Sequence, residues 1–242
     1  PQADDQPALF CRGNELHRRR HPERGLVPPM QFIPAAEESG LIIGLGEWVV
    51  RNAFAQLRAW LDAGLPPLRM SVNISALQFR QPGFAVFLGG QLALHRLPAE
   101  CIELELTESV LMKNLEEVLR TLTDIKALGV RLAIDDFGTG FSSLGYLRRF
   151  PIDRLKIDQS FVRDIDTTPV NESIARAIVA LAESLSLEIV AEGIEREAEA
   201  AVLQRLNCQQ GQGYLFSRPV LAETFVTWWQ ASAPGKALAL SS

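Results

Sequence analysis

Cysteine and histidine are scarce in this chain, and so are long apolar runs and surplus positive charge. The three cysteines, Cys11, Cys101 and Cys208, form no C-x-x-C pair, and His17, His21 and His95 stand at no zinc-ligand spacing. A disulfide framework and a soft-metal centre are therefore excluded, and a reducing, cytoplasmic setting is expected. No stretch reaches the roughly 18 apolar residues of a membrane span, and no signal peptide is present. Any membrane anchoring would belong to a longer parent protein. The net charge of -5 excludes the chain-wide basic footprint of a nucleic-acid binder, though not a local cationic pocket for a small phosphorylated ligand.

What is present is enough apolar content, 47% of 242 residues, to bury one sizeable core. Residues 1–7 read as a linker or frayed end, residues 231–242 as a small-residue disordered tail, and 8–230 as one domain with no internal linker. Helical periodicity runs through Leu45, Trp48, Val49, Ala53, Leu57, Trp60 and Leu61, stopped by Gly64. It recurs at Val118, Leu122 and Ile125 before Gly129, and at Ile174, Ile178, Leu181 and Leu185. Short β-rich runs alternate with these helices, at 68–73, 101–106, 130–135, 154–157, 187–191 and 208–214. That cadence implies βαβ units and a parallel sheet. One more strand near 9–16 brings the count to seven, where a closed barrel normally has eight.

The polar residues in these runs sit late. Asn73, Glu105, Asp135 with Asp136, Lys156, Glu192 and Gln212 fall at or near successive strand ends, 20 to 36 residues apart. In a parallel barrel all such ends open on one face, where active sites are assembled. Four carboxylates gathered there resist ionising together unless cations hold them. Oxygen donors without Cys or His favour hard ions, Mg²⁺ or Mn²⁺. The adjacent Asp135–Asp136 pair suits a two-metal phosphodiester hydrolase, one carboxylate bridging two ions and its neighbour binding one. An isolated Asp-Asp is more often a turn or cap, and an isolated Lys after a strand more often solvated. Their convergence is what points to chemistry.

At these residues the chain resembles the EAL family. The matching stretches are HPERGLVPPMQFIPAAEESGLI (21–42), SVNIS (71–75), ELTES (105–109), IDDFGTGFSSL (134–144), LKIDQSF (155–161), VAEGIE (190–195) and GQGYLFSRP (211–219). The resemblance implies an α/β fold, a modified TIM (β/α)8 barrel, and cleavage of cyclic di-GMP to linear pGpG. It implies that Asn73, Glu105, Asp135, Asp136 and Glu192 are ligands to two divalent cations. Lys156 matches the lysine that orients the attacking water, and Gln212 a supporting amide. Glu108 matches an anchor of the loop 136–143, Arg18 a substrate-phosphate arginine and Leu16 a pocket residue. A homodimer and fusion to sensory or diguanylate cyclase modules are further expectations of the family.

The family's naming motif is altered here. Counting back from His21-Pro22, the metal-binding Glu position is Asn14, and the usual Trp is Arg19. On a strand Asn14, Leu16 and Arg18 share a face while Glu15 points away, unless a bulge turns it inward. Asn supplies an oxygen without charge, so weakened metal binding and slower turnover are expected. The stretch ahead of the motif is shorter than the family's hairpin, which leaves the first strand antiparallel or incomplete. The rival reading is a degenerate receptor that binds cyclic di-GMP without turnover. A third, an aldolase-like barrel with Lys156 as Schiff base, conflicts with an acidic ring that would keep the amine protonated.

Overall fold

The computed structural model describes residues 8–9, 19–21, 25–27, 29–111, 114–140 and 144–231. Strand β1 (Ala8–Leu9) is followed by an antiparallel hairpin of β2 (Arg19–His21) and β3 (Gly25–Val27), then by helices α1 (Pro29–Glu38) and α2 (Leu41–Asp62). Thereafter strands and helices alternate. The order is β4 (Arg69–Asn73), α3 (Ala76–Phe79), α4 (Phe84–His95), β5 (Ile102–Thr107), α5 (Glu108–Leu111), α6 (Leu115–Ala127), β6 (Arg131–Phe137) and α7 (Leu144–Leu147). It continues with β7 (Arg154–Ile157), α8 (Gln159–Val162), α9 (Pro169–Ser184), β8 (Glu188–Ala191), α10 (Glu197–Arg205), β9 (Gln210–Gly211) and α11 (Ala222–Ala231).

Seven strands make one parallel sheet in the order β1-β4-β5-β6-β7-β8-β9, as the βαβ cadence requires. The described residues of the first strand, Ala8 and Leu9, pair in parallel with Arg69 and Met70, so the antiparallel alternative does not hold for them. The expected stretch around Asn14, Leu16 and Arg18 lies outside the described residues.

Alternation along the strands sorts residues between two faces. Met70, Val72, Leu104, Leu106, Leu132, Ile134, Leu155, Ile157 and Ile189 turn outward into the apolar core beneath the helices. Arg69, Ser71, Glu103, Glu105, Asp135, Arg154, Lys156 and Glu192 turn inward and are buried. The inward contacts show how far the sheet curls. Arg69 on β4 and Glu188 on β8 meet at 3.1 Å, whereas four strand spacings laid flat would separate them by about 19 Å.

The helices follow from apolar stripes. On α2 the buried Leu45, Val49, Ala53, Leu57 and Trp60 recur every three or four residues. Trp48, read into the same stripe, stays at its edge, 43% exposed. Helix α11 docks on α2 through aromatics, with Phe225 4.8 Å from the Trp60 ring and 5.8 Å from that of Trp228. Truncating a fully buried side chain such as Leu104 would cost roughly 2–5 kcal/mol.

Candidate active site

The inward residues form two charged layers at opposite ends of the strands. At the N-terminal ends, Arg154 is wholly buried and donates to Glu103 at 2.8 Å and to Glu188 at 3.1 Å. Arg69 reaches Glu188 at 3.1 Å, Arg131 also pairs with Glu188, and Ser71 donates to Glu103 at 3.1 Å. Burial alone would push Glu188 up, but Arg154, Arg131 and Arg69 together hold its carboxyl below the usual range.

The C-terminal ends carry the opposite balance. Lys156 on β7 points its Nζ at Glu105 of β5 (2.8 Å), Asp135 of β6 (3.0 Å) and Glu192 just beyond β8 (2.6 Å). All four side chains are buried or nearly so. Oxygens of Asp135, Asp136 and Glu192 lie within 4.8 Å of one another. Asn73 ends β4 in register with Glu105 on the same inward face, and is exposed at the mouth.

A regular strand would send Asp135 and Asp136 to opposite faces. Two local features bring both carboxylates to the mouth. The β6–β7 register shifts between Ile134 and Phe137, and Asp136 adopts a left-handed backbone with φ 53°. Asp is among the few non-glycine residues that tolerate this conformation, and strain of this kind collects at functional sites. The Asp136 N–H donates back to the Asp135 carboxylate at 3.1 Å.

The crowding shows in the acidities. Burial first, then Asp135 and Glu192, push Glu105 up to about 7 despite the lowering effect of Lys156. Burial, Asp135 and Asp158 push Asp136 up to about 6. Burial would lower Lys156, but Glu105, Glu192 and Asp135 outweigh it and hold the ammonium charged. A lysine so held has no lone pair for a carbonyl, which removes the Schiff-base chemistry.

Glu108 opens α5 with its carboxylate buried and accepts from the Gly138 N–H at 3.4 Å. A Cβ on Gly140 would lie 2.8 Å from that carboxylate, so the described part of the loop after Asp136 packs directly on Glu108. Gln212 is joined to β8 by its N–H to the Ala191 carbonyl (2.8 Å), and its side-chain Oε1 is buried without a hydrogen-bond partner. Asn14, Leu16 and Arg18 lie outside the described residues. Sequence reasoning missed Asp158, whose charge helps push the Asp136 carboxyl up. The signal was there: Asp158 follows Lys156 by two residues, hence on the same face.

Among the described residues the ligand atoms this mouth offers are oxygens, and four carboxylates gather about one lysine. That set fits hard divalent cations and offers nothing to soft ones.

The family model described as EAL domain matches residues 12–219. The cyclic di-GMP phosphodiesterase PdeR of Escherichia coli is 45% identical over 232 residues, 93% of this chain and 35% of that protein. The bifunctional diguanylate cyclase/cyclic di-GMP phosphodiesterase MucR of Pseudomonas aeruginosa is 45% identical over 208 residues, 86% of this chain and 30% of its own length. A solved structure titled PaMucR phosphodiesterase, c-di-GMP complex, superposes with a TM-score of 0.82 at 45% identity, covering 86% of this chain and 84% of the other. The chain thus spans about a third of the length of these curated relatives.

Proposed function

The chain belongs to the EAL domain family, and from that premise we propose that it hydrolyses cyclic di-GMP to linear pGpG at the C-terminal mouth of its barrel. The observation that carries this reading is the convergence of Asp135, Asp136 and Glu192 within 4.8 Å, beside Glu105 and the ammonium of Lys156. Two divalent cations, Mg²⁺ or Mn²⁺, would be held by Glu105, Asp135, Asp136, Glu192 and Asn73, with Asn14 at the motif position. When bound, they supply a water of lowered pKa and screen charge on the phosphoryl oxygens.

The chain's own residues do the rest. A phosphodiester, with one negative charge, approaching the described residues of the bare mouth meets four carboxylates and one lysine, so cations there favour its binding. Lys156 is a fixed positive charge beside the phosphoryl group, placed to offset the charge that grows on it and to orient the attacking water. In this reading Gln212 would support the water with its amide, and the family's substrate-phosphate arginine and pocket residue fall at Arg18 and Leu16. Glu108 holds the loop after Asp136.

Relatives at 40–45% identity named as cyclic di-GMP phosphodiesterases support the activity. Their greater length, and the diguanylate cyclase named in one of them, support a larger parent protein in which this domain is joined to sensory or diguanylate cyclase modules; a homodimer in the cytoplasm is the part of the reading that rests on the family resemblance alone. No described helix is long and apolar enough to cross a membrane.

Asn14 favours a second reading, a receptor that retains cyclic di-GMP without turnover. One assay separates them: cyclic di-GMP with Mn²⁺ or Mg²⁺, following pGpG, in the parent and in Asn14→Glu. Slow turnover that rises about tenfold in the variant, roughly 1.4 kcal/mol of barrier, is the expected result. Binding without turnover in either protein supports the receptor, and failure to bind defeats both.

A further inference from the structure

Two arms of the mouth, the segment after β7 and the segment after β8, carry Asp158 and Glu192 respectively, and they are pinned together twice. Close to the site, Gly193 has φ +72° and a Cβ built on it would lie 2.6 Å from the Gln159 Cβ, so the second arm packs against the Gln159 side chain of the first where only glycine fits. Further out, Glu199 of α10 is 2% exposed and reaches across. Its Oε1 accepts from the Asp164 N–H at 3.1 Å, at the end of the first arm. Its Oε2 accepts from the N–H groups of Glu195 (2.9 Å) and Arg196 (3.1 Å), in the second arm. Burial would raise this carboxyl, but the backbone donors of Glu195, Asp164 and Arg196 hold it down, as expected of a fixed carboxylate.

We propose that Glu199 is a positioning residue: its buried carboxylate braces the β7 arm against the β8 arm and so fixes Glu192, one of the residues that would hold the cations, relative to the arm that carries Lys156 and Asp158. The proposal rests on the reading of the mouth as a cation site. The chemistry favours a brace over a mere helix cap. A cap needs donors only from its own first turn, whereas Glu199 also takes one from Asp164, thirty-five residues earlier and on the other arm. The Arg196 side chain decorates this contact from outside, 44% exposed, bonding Asp164, Asp166 and Glu199.

The test measures Mn²⁺ affinity directly, by calorimetry or the loss of free-ion EPR signal, in the parent, Glu199→Ala, Glu199→Gln and Arg196→Ala. Glu199→Ala is expected to weaken Mn²⁺ binding about tenfold, the lower range for partners of metal ligands. Glu199→Gln, which keeps one accepting oxygen, falls between it and the parent, and Arg196→Ala, which leaves the backbone donors, stays within about twofold. A variant that loses thermal stability yet binds Mn²⁺ as the parent does overturns the brace. If Glu199→Ala does not fold, the glutamine variant decides by the same criterion. A parent that binds no Mn²⁺ refutes the cation reading instead. The brace is then read from amide exchange at Glu192 and Gly193, faster exchange in the variants supporting it and unchanged exchange overturning it.

Discussion

The two ends of this barrel are lined by the same strands and treat charge in opposite ways. At the N-terminal ends, Arg69, Arg131 and Arg154 are interlocked with Glu103 and Glu188, and each guanidinium has a carboxylate partner. At the C-terminal ends, among the described residues, Glu105, Asp135 and Glu192 share one lysine, with Asp136 beside them. The first layer is closed by folding; the second is left short of positive charge. A buried network that folding satisfies serves stability and register, whereas one that folding leaves unbalanced marks where a ligand completes it.

The sharpest way to break this contrast is Asp135→Asn. It should cost turnover on the order of a thousandfold, about 4 kcal/mol of barrier, measured as pGpG release. The thermal midpoint without divalent cations should hold or rise, because one like charge leaves the cluster. Lower stability with turnover retained would mean that the mouth is structural. Next in size is Arg154→Met at the other end. Taking the close cationic partner from buried Glu103, while Glu188 keeps Arg69 and Arg131, should remove about 3–5 kcal/mol of stability in urea unfolding, while kcat per folded molecule stays within about twofold. A fall in kcat at full stability would join the two layers into one functional network.

The smallest effects come from pH, and they should carry opposite signs. Glu188 is held below its ordinary 4.5, so its stabilising contribution is present above that value and lost as pH falls through the folded pKa. Glu105 is raised to about 7, so the folded state holds a proton that the unfolded chain has released. Its contribution is present below 4.5 and lost as pH rises through about 7. Without divalent cations, stability should therefore climb out of the acid range and then decline between about pH 4.5 and 7. Glu188→Gln should flatten the climb and Glu105→Gln the decline, each followed by thermal unfolding across pH. A decline that persists in Glu105→Gln would place its origin elsewhere.

Much of this was legible in the residues. The apolar stripes placed α2, α6 and α9, the β-rich runs placed the parallel strands, and the late polar residues marked the mouth because βαβ connectivity sends every strand end to one side. Other features left no local trace. Trp48 has the spacing of a core residue but lies at the edge of the buried stripe, 43% exposed. The Arg69–Glu188 pair joins residues 119 apart, and no periodicity in either strand names the other as partner.

By itself, then, the sequence determined which residues face inward, since side-chain alternation is a property of each strand alone, and which of them lie at the C-terminal strand ends. Only the tertiary structure decided how they meet. Curvature of the sheet brings β4 to β8 and β5 to β7, and the left-handed turn at Asp136, held against the shifted β6–β7 register, swings a carboxylate that alternation had sent away into the cluster it belongs to.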